Sequence, residues 1–192
     1  MKNKHLQFWE ENCSIDQFKS WCNKEVGWKN SVLRIIKASK SKSVLDVGCG
    51  LAHMGEKIRN LDSTIDYVGT EITMKFVEHN NKNNFKCIFN NLEKLPFDDN
   101  TFDTTICLDV LNHQLDYENK ILEMLRVTNK HLIISFFKSW EKEDTIIYKH
   151  DNLIYHHFEL NSFKQFLEKN NLNYNFFITN LKVNPKILVI SK

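Results

Sequence analysis

Asp46, Gly48 and Gly50 stand in the run VLDVGCGLAHMG, residues 44–55, where an apolar segment ends in an acid and breaks into glycines. A carboxylate there can meet a cation or a hydrogen-bond donor. Glycine at 48 and 50 lets the backbone take positive φ and approach a ligand closely. A helix opening near Ala52 would add free N–H groups and partial positive charge, suited to a carboxylate or phosphate. The loop therefore reads as a cradle for a small anionic ligand. Its spacing excludes two classes of nucleotide site: G-x-G-x-x-G would need glycine where His53 stands, and G-x-x-x-x-G-K-[ST] is absent. Other residues of chemical interest lie further along. Glu71 closes Gly69-Thr70-Glu71, and a carboxylate can take two hydroxyl donors at once. His113, in LDVLNHQLD, is of the type that acts as a general base near neutral pH, and His157 and His156 are further candidates. Strand alternation turns only one of that last pair toward a pocket.

These residues need a scaffold that brings segment ends together. Strand patterns occur at 43–47, 65–70, 85–89, 102–108 and 131–137, with helical segments near 53–61, 72–80 and 116–128. Alternating strands and helices predict a parallel sheet covered on both faces. Ahead of it, residues 13–39 carry apolar side chains at helical spacing, with Gly27 as a break between two helices. After it, a helix near 161–171 precedes strand-like runs at 173–182 and 186–191. The VNP between those runs is too short for a crossover helix, so they form an antiparallel hairpin. The runs 145–150 and 153–158 flank Asp151-Asn152 and predict a second, smaller hairpin projecting from the carboxyl side of the sheet.

The motif apolar-apolar-Asp-x-Gly-x-Gly resembles the first motif of the class I S-adenosylmethionine-dependent methyltransferases, with Ala52 where a third glycine is common. The stretch NNLEKLPFDDNTFDTTICLDVLNH is similar to that family's "GDAEDLPF…FD…VLEH", and the resemblance covers residues from about 42 to 137. It implies an α/β fold: a Rossmann-like three-layer sandwich whose mostly parallel seven-stranded sheet ends in an antiparallel hairpin, under an N-terminal helical lid. It also implies S-adenosyl-L-methionine as cofactor and S-adenosyl-L-homocysteine as product. Asp46 would reach the methionine amino group, within the loop Gly48, Cys49 and Gly50. Glu71 would accept from the ribose hydroxyls. Asn91 takes the place of an Asp that meets the adenine amino group, followed by Leu92 and Glu93; Ile72, Leu108 and Asp109 complete the cofactor set. Plainer roles are a helix cap for Asp46, a surface acid for Glu71, a turn residue for Asn91 and a structural His113. Trp9, Trp28, His113, Tyr148 and Tyr155 are the candidate acceptor contacts.

Composition narrows the rest. The 192 residues are 42% hydrophobic and 26% charged, and the net charge of +2 offers no argument for a nucleic-acid groove or an anionic membrane. Five cysteines without a C-x-x-C read as reduced, buried thiols rather than zinc ligands or disulfides, and no metal is expected. With no apolar leader or membrane-length run, the expectation is a cytoplasmic, soluble single domain over 1–192, a monomer or homodimer. Its parts would be lid helices (1–40), cofactor core (42–137), hairpin insertion (138–160), and C-terminal helix with strand pair (161–192). The expected activity is methyl transfer to oxygen or nitrogen of a small molecule. The alternatives are another chemistry on the same cofactor or a non-catalytic partner subunit.

Overall fold

The computed structural model describes residues 8–22, 27–137, 140–148, 153–177 and 187–192. A π-helical turn, Phe8–Asn12, leads into α1 (Ile15–Cys22) and α2 (Gly27–Ala38). The sheet then begins with β1 (Ser43–Val47), α3 (His53–Leu61), β2 (Asp66–Glu71), α4 (Met74–Lys82) and β3 (Cys87–Phe89). It continues through β4 (Phe102–Leu108), the short 3-10 turn Leu111–His113, α5 (Tyr117–Val127) and β5 (Thr128–Ser135). These five strands pair in parallel in the order β3-β2-β1-β4-β5. Buried side chains on both faces of β1, β4 and β5 account for that choice, since only a doubly covered sheet buries such runs.

Two boundaries move for visible reasons. β5 starts at Thr128, three residues ahead of the sequence expectation. The Thr128 hydroxyl donates to the Met124 carbonyl (2.6 Å) and accepts from the Thr105 hydroxyl (2.8 Å), closing α5 and opening the strand at one residue. β3 begins at Cys87 rather than 85. Phe85 leaves the ladder to pack edge-on against Tyr67, with the Arg59 guanidinium 3.8 Å over its ring.

α6 (Leu160–Lys169) precedes β8 (Asn173–Phe177) and β9 (Ile187–Ser191), which pair antiparallel. β9 also pairs antiparallel with β5, so the seven-stranded order is β3-β2-β1-β4-β5-β9-β8. The small hairpin is present as β6 (Thr145–Tyr148) against β7 (Ile154–His157). The turns read at 151–152 and 183–185 lie outside the described residues. Among the described residues no helix is long and apolar enough to cross a membrane.

Strand alternation divides the core. Leu45, Val47, Leu132 and Ile134 pack with Ile121 and Met124 of α5 and Phe163 and Leu167 of α6. Val44, Ile106 and Ile133 pack on the other face with Val32 and Ile36 of α2 and Met54 and Ile58 of α3. A third cluster of Phe8, Cys13, Leu51, Phe76 and Leu153 ties the N-terminal segment to the carboxyl edge of the sheet. Leu132→Ala removes a fully buried side chain between β4 and β9, and should cost about 2–5 kcal/mol in urea unfolding. Leu115→Ala, at a half-exposed position, should leave stability nearly unchanged.

Candidate active site

The chain fills the sheet outward from β1 in one direction and from β4 in the other, so the order reverses between these neighbours. Ligands of open α/β sheets bind at such a point, outside the carboxyl ends of the strands. Here the loop after β1 meets the loop after β4. Gly48 lies at φ +70°, and a Cβ there would sit 2.5 Å from Val110 Cγ2; Gly50 lies at φ +55°, where a Cβ would fall 2.5 Å from the Phe18 ring. Both glycines are therefore required by space as well as by dihedral. Ala52 also takes a left-handed conformation, φ 54°, which explains why related loops favour glycine at that place.

The loop is fastened to the end of β2. The Gly48 and Cys49 N–H groups donate to the Thr70 carbonyl at 2.8 and 3.0 Å. The Gly50 N–H donates to Glu71 Oε2 at 2.9 Å, while Glu71 Oε1 accepts from the Ile72 and Thr73 N–H groups at 2.8 and 3.1 Å. Glu71 is thus an interior acid, only 7% exposed, and not a surface one. Burial raises its pKa against the lowering effect of its three backbone donors. Asp46 does not cap α3, whose capping residue is Ala52; its Oδ2 accepts from the Tyr67 hydroxyl at 2.8 Å. Burial pushes the Asp46 pKa up to about 7, opposed by the Tyr67 hydrogen bond, raised further by Glu71 and eased by Lys29.

These acids open into a cavity of about 500 Å³. Of the expected cofactor residues, Asp46, Gly48, Cys49, Glu71, Ile72, Asn91, Leu92, Leu108 and Asp109 line it. Gly50 is turned inward to Glu71 and does not. Glu93 also stands apart: it is mostly exposed and pairs with Lys120 at 2.7 Å, because Leu92, at φ 61°, redirects the chain. Asn91 lines the cavity and serves the turn together, its Oδ1 accepting from the Glu93 N–H at 3.1 Å.

The other wall is aromatic. Of the candidate acceptor contacts, Trp9, His113 and Tyr155 lie there together with Phe137, and Trp28 lines the cavity elsewhere, beside Lys29. The His113 ring stacks on Phe137 (centroids 5.0 Å apart, 30° between planes) and meets Trp9 and Tyr155 edge-on at 5.3 and 5.5 Å. Its Nδ1 lies 2.7 Å from the Ile154 carbonyl oxygen. An acceptor at that distance places the neutral ring's proton on Nδ1 and leaves Nε2 as the basic nitrogen. Burial lowers the His113 pKa, with the Ile154 carbonyl opposing.

The other two histidines fall outside the cavity. His156 turns to the opposite face of β7, where Nδ1 lies 3.0 Å from the Gln114 carbonyl and the ring packs against Tyr117 and Phe158. His157 shares the face of Tyr155 but lies one pleat repeat further along, with Nδ1 3.6 Å from Glu141. Tyr148 is 63% exposed on β6 and does not line the cavity. The sequence reading did not single out Phe18, Lys29, His53, Asn90, Gln114 or Phe137, all of which line the cavity. His53 had a signal, standing where a dinucleotide loop needs glycine; the others lie on elements whose facing depends on tertiary packing. Among the described residues no group of three or more His, Cys, Asp or Glu could hold a metal ion.

Residues 38–178 match the family model described as a methyltransferase domain. The chain belongs to the class I S-adenosylmethionine-dependent methyltransferases. It is 32% identical over 109 residues to a demethylmenaquinone methyltransferase of Geobacillus stearothermophilus, covering 53% of this chain and 47% of that one. It is also 32% identical over 96 residues to a tRNA U34 carboxymethyltransferase of Campylobacter curvus, covering 46% of this chain and 31% of that one. The chain thus matches a third to a half of the length of these curated relatives. In fold it is similar over the whole of both chains to a Thermotoga maritima S-adenosylmethionine-dependent methyltransferase described as a possible histamine N-methyltransferase, with TM-score 0.65 and 14% identity. The residues of this methyltransferase fit the cofactor its family uses. Gly48 brings bare backbone to the cavity edge, and two buried carboxylates border a cavity of nucleoside size.

Asp46 titrates near 4 in an unfolded chain and near 7 here, so the ligand-free protein loses stability as pH rises between those values. Asp46→Asn keeps an oxygen for Tyr67 and removes the charge. Urea unfolding at pH 8 should find the variant more stable than the parent, by on the order of a few kcal/mol, with the gap closing toward pH 4. A variant less stable at pH 8 would contradict this.

Proposed function

We propose that this methyltransferase moves the methyl group of S-adenosylmethionine to oxygen or nitrogen of a small, ring-bearing acceptor. The observation that carries the reading is continuity: one cavity joins Asp46 and Glu71 to the aromatic wall around His113. The cofactor supplies an activated methyl group on a sulfonium, a good leaving group. The chain's own task is then to bind, align and exclude water, and alignment alone can be worth roughly 7–11 kcal/mol in favourable intramolecular cases.

Asp46 suits the cofactor's ammonium, with Tyr67 fixing the carboxylate. Glu71 has three acceptor positions committed to backbone donors, which leaves room for about one ribose hydroxyl in this arrangement. Asn91 and Leu92 would border the adenine. Trp9, Phe137 and Tyr155 offer flat apolar surface for an acceptor ring, and His113, kept neutral by burial, can take a proton from an attacking hydroxyl or amine. The rings about His113 suit a flat acceptor better than a phosphate; Lys29, beside Trp28, brings an ammonium group to another part of the lining.

A second reading keeps the cavity and changes the transferred group, prompted by the relative named as a carboxymethyltransferase. Product mass separates the two, as one methyl or one carboxymethyl added.

Glu71→Ala should weaken S-adenosylhomocysteine binding about tenfold or more by calorimetry, from lost charge-assisted bonds of roughly 1.5–3 kcal/mol. Unchanged affinity would remove Glu71 from the cofactor site. His113→Gln should lower turnover with an acceptor found by screening phenols and heterocyclic amines, by roughly 10²–10⁴-fold, at constant cofactor affinity. In the parent, turnover should fall as pH drops through the depressed His113 pKa, below the usual 6.5, and that limb should vanish in the variant. A pH profile shared by both proteins would exclude His113 as the base.

A further inference from the structure

Cys49, in the glycine loop, and Cys87, at the start of β3, come together although 37 residues separate them in the chain. Their sulfurs are 3.6 Å apart. The strand between them makes this possible. Gly69 of β2 is the register partner of Cys87, and a Cβ on it would lie 2.6 Å from Cys49 Sγ. Without a side chain at 69, the loop cysteine reaches across β2 to the strand beyond. Asn80 of α4 adds its amide nitrogen, 3.5 Å from one sulfur and 3.6 Å from the other, and donates to the Gly50 carbonyl at 2.8 Å.

We propose that Cys49 and Cys87 are an oxidisable pair whose reversible disulfide closes over Gly69 and weakens cofactor binding. The effect on the cofactor rests on the site assignment above. The closure itself rests on geometry alone.

The two thiols are unequal. The Cys49 S–H and the Asn80 amide favour a thiolate at Cys87 and lower its pKa, while the same contact and burial raise that of Cys49. Cys13 and Cys107 are also buried, and burial raises their pKa values; neither shows the lowering that its neighbours give Cys87. Cys49 borders the cavity, where a water-sized hydroperoxide can arrive. Cys87, as thiolate, takes the Cys49 proton across the 3.6 Å contact, and the Cys49 sulfur so freed attacks the peroxide: the S–O bond forms, the O–O bond breaks, and hydroxide leaves. Cys87 then attacks that sulfur; the S–S bond forms, and hydroxide departs with the Cys87 proton as water. Two thiols are oxidised and one peroxide is reduced.

A disulfide spans about 2.05 Å, so the sulfurs must close by roughly 1.5 Å. That draw acts on the residue between Gly48 and Gly50, whose N–H groups are held by Thr70 and Glu71. The cradle must shift toward β3, away from the geometry that suits a ligand. By linkage, bound cofactor should disfavour the disulfide at equilibrium by the same factor as the disulfide weakens binding.

The test uses the full chain, hydrogen peroxide and S-adenosylhomocysteine. The reduced protein is titrated with S-adenosylhomocysteine first. It is then oxidised, mapped by peptide mass spectrometry, titrated again and returned with dithiothreitol. The expected result is a Cys49–Cys87 linkage two hydrogens lighter, an affinity at least about tenfold weaker, and recovery on reduction. Cys87→Ser, and independently Cys87→Ala, should bind S-adenosylhomocysteine like the parent and keep that affinity through peroxide. Absence of the linkage, an oxidised protein with unchanged affinity, or equal loss in both Cys87 variants would overturn the proposal. Failure of the reduced protein to bind S-adenosylhomocysteine would overturn the site assignment and the switch with it, and is seen before any oxidant is added.

Discussion

The attachment of the glycine loop to the end of β2 is the constraint on which the rest of the site depends. Thr70 offers a carbonyl and Glu71 a carboxylate, and together they hold the N–H groups of three successive loop residues, 48 to 50. A loop held this firmly has one path, and that path brings Gly48 against Val110 and Gly50 against Phe18. The first contact fixes the loop after β4, and through it His113. The second fixes α1 and the N-terminal segment that carries Trp9. One small cluster of hydrogen bonds thereby sets both walls of the cavity.

Burial then acts on the site with a single tendency and two signs. It raises Asp46 and Glu71 and lowers His113, in each case disfavouring the charged form. The ligand-free site is drawn toward neutrality. A ligand bearing its own cation would shift that balance at Asp46 without needing to disturb His113, which lies across the cavity among aromatic rings. Acids and base are thus kept electrically separate within one enclosure.

Much of this was legible in the sequence because it depends on local chemistry. Period and turn spacing marked the strands, and the Asp-x-Gly-x-Gly text marked the cradle, where a Cβ at either glycine would strike Val110 or Phe18. Direction was harder. Whether His156 or His157 faces the cavity depends on how β7 meets α5 and the 3-10 turn, contacts distant in the chain; Tyr117 captures the first and Glu141 the second. Glu93 was misleading for a related reason. A left-handed Leu92, invisible in a residue string, sends it to Lys120. Phe18 and Phe137 enter the site through packing of whole elements, which no nearby motif announces.

The placement of β9 has a consequence for how the molecule is made. This strand, Ile187–Ser191, lies between β5 and β8, although it follows both in the chain. Until a ribosome has released Ser191, β5 keeps an open border of unpaired amides and carbonyls, bearing the apolar run Leu132 to Ile134. Such borders invite pairing with foreign strands. The chain must therefore hold a nearly complete parallel layer in waiting until β9 inserts as the keystone that seals it.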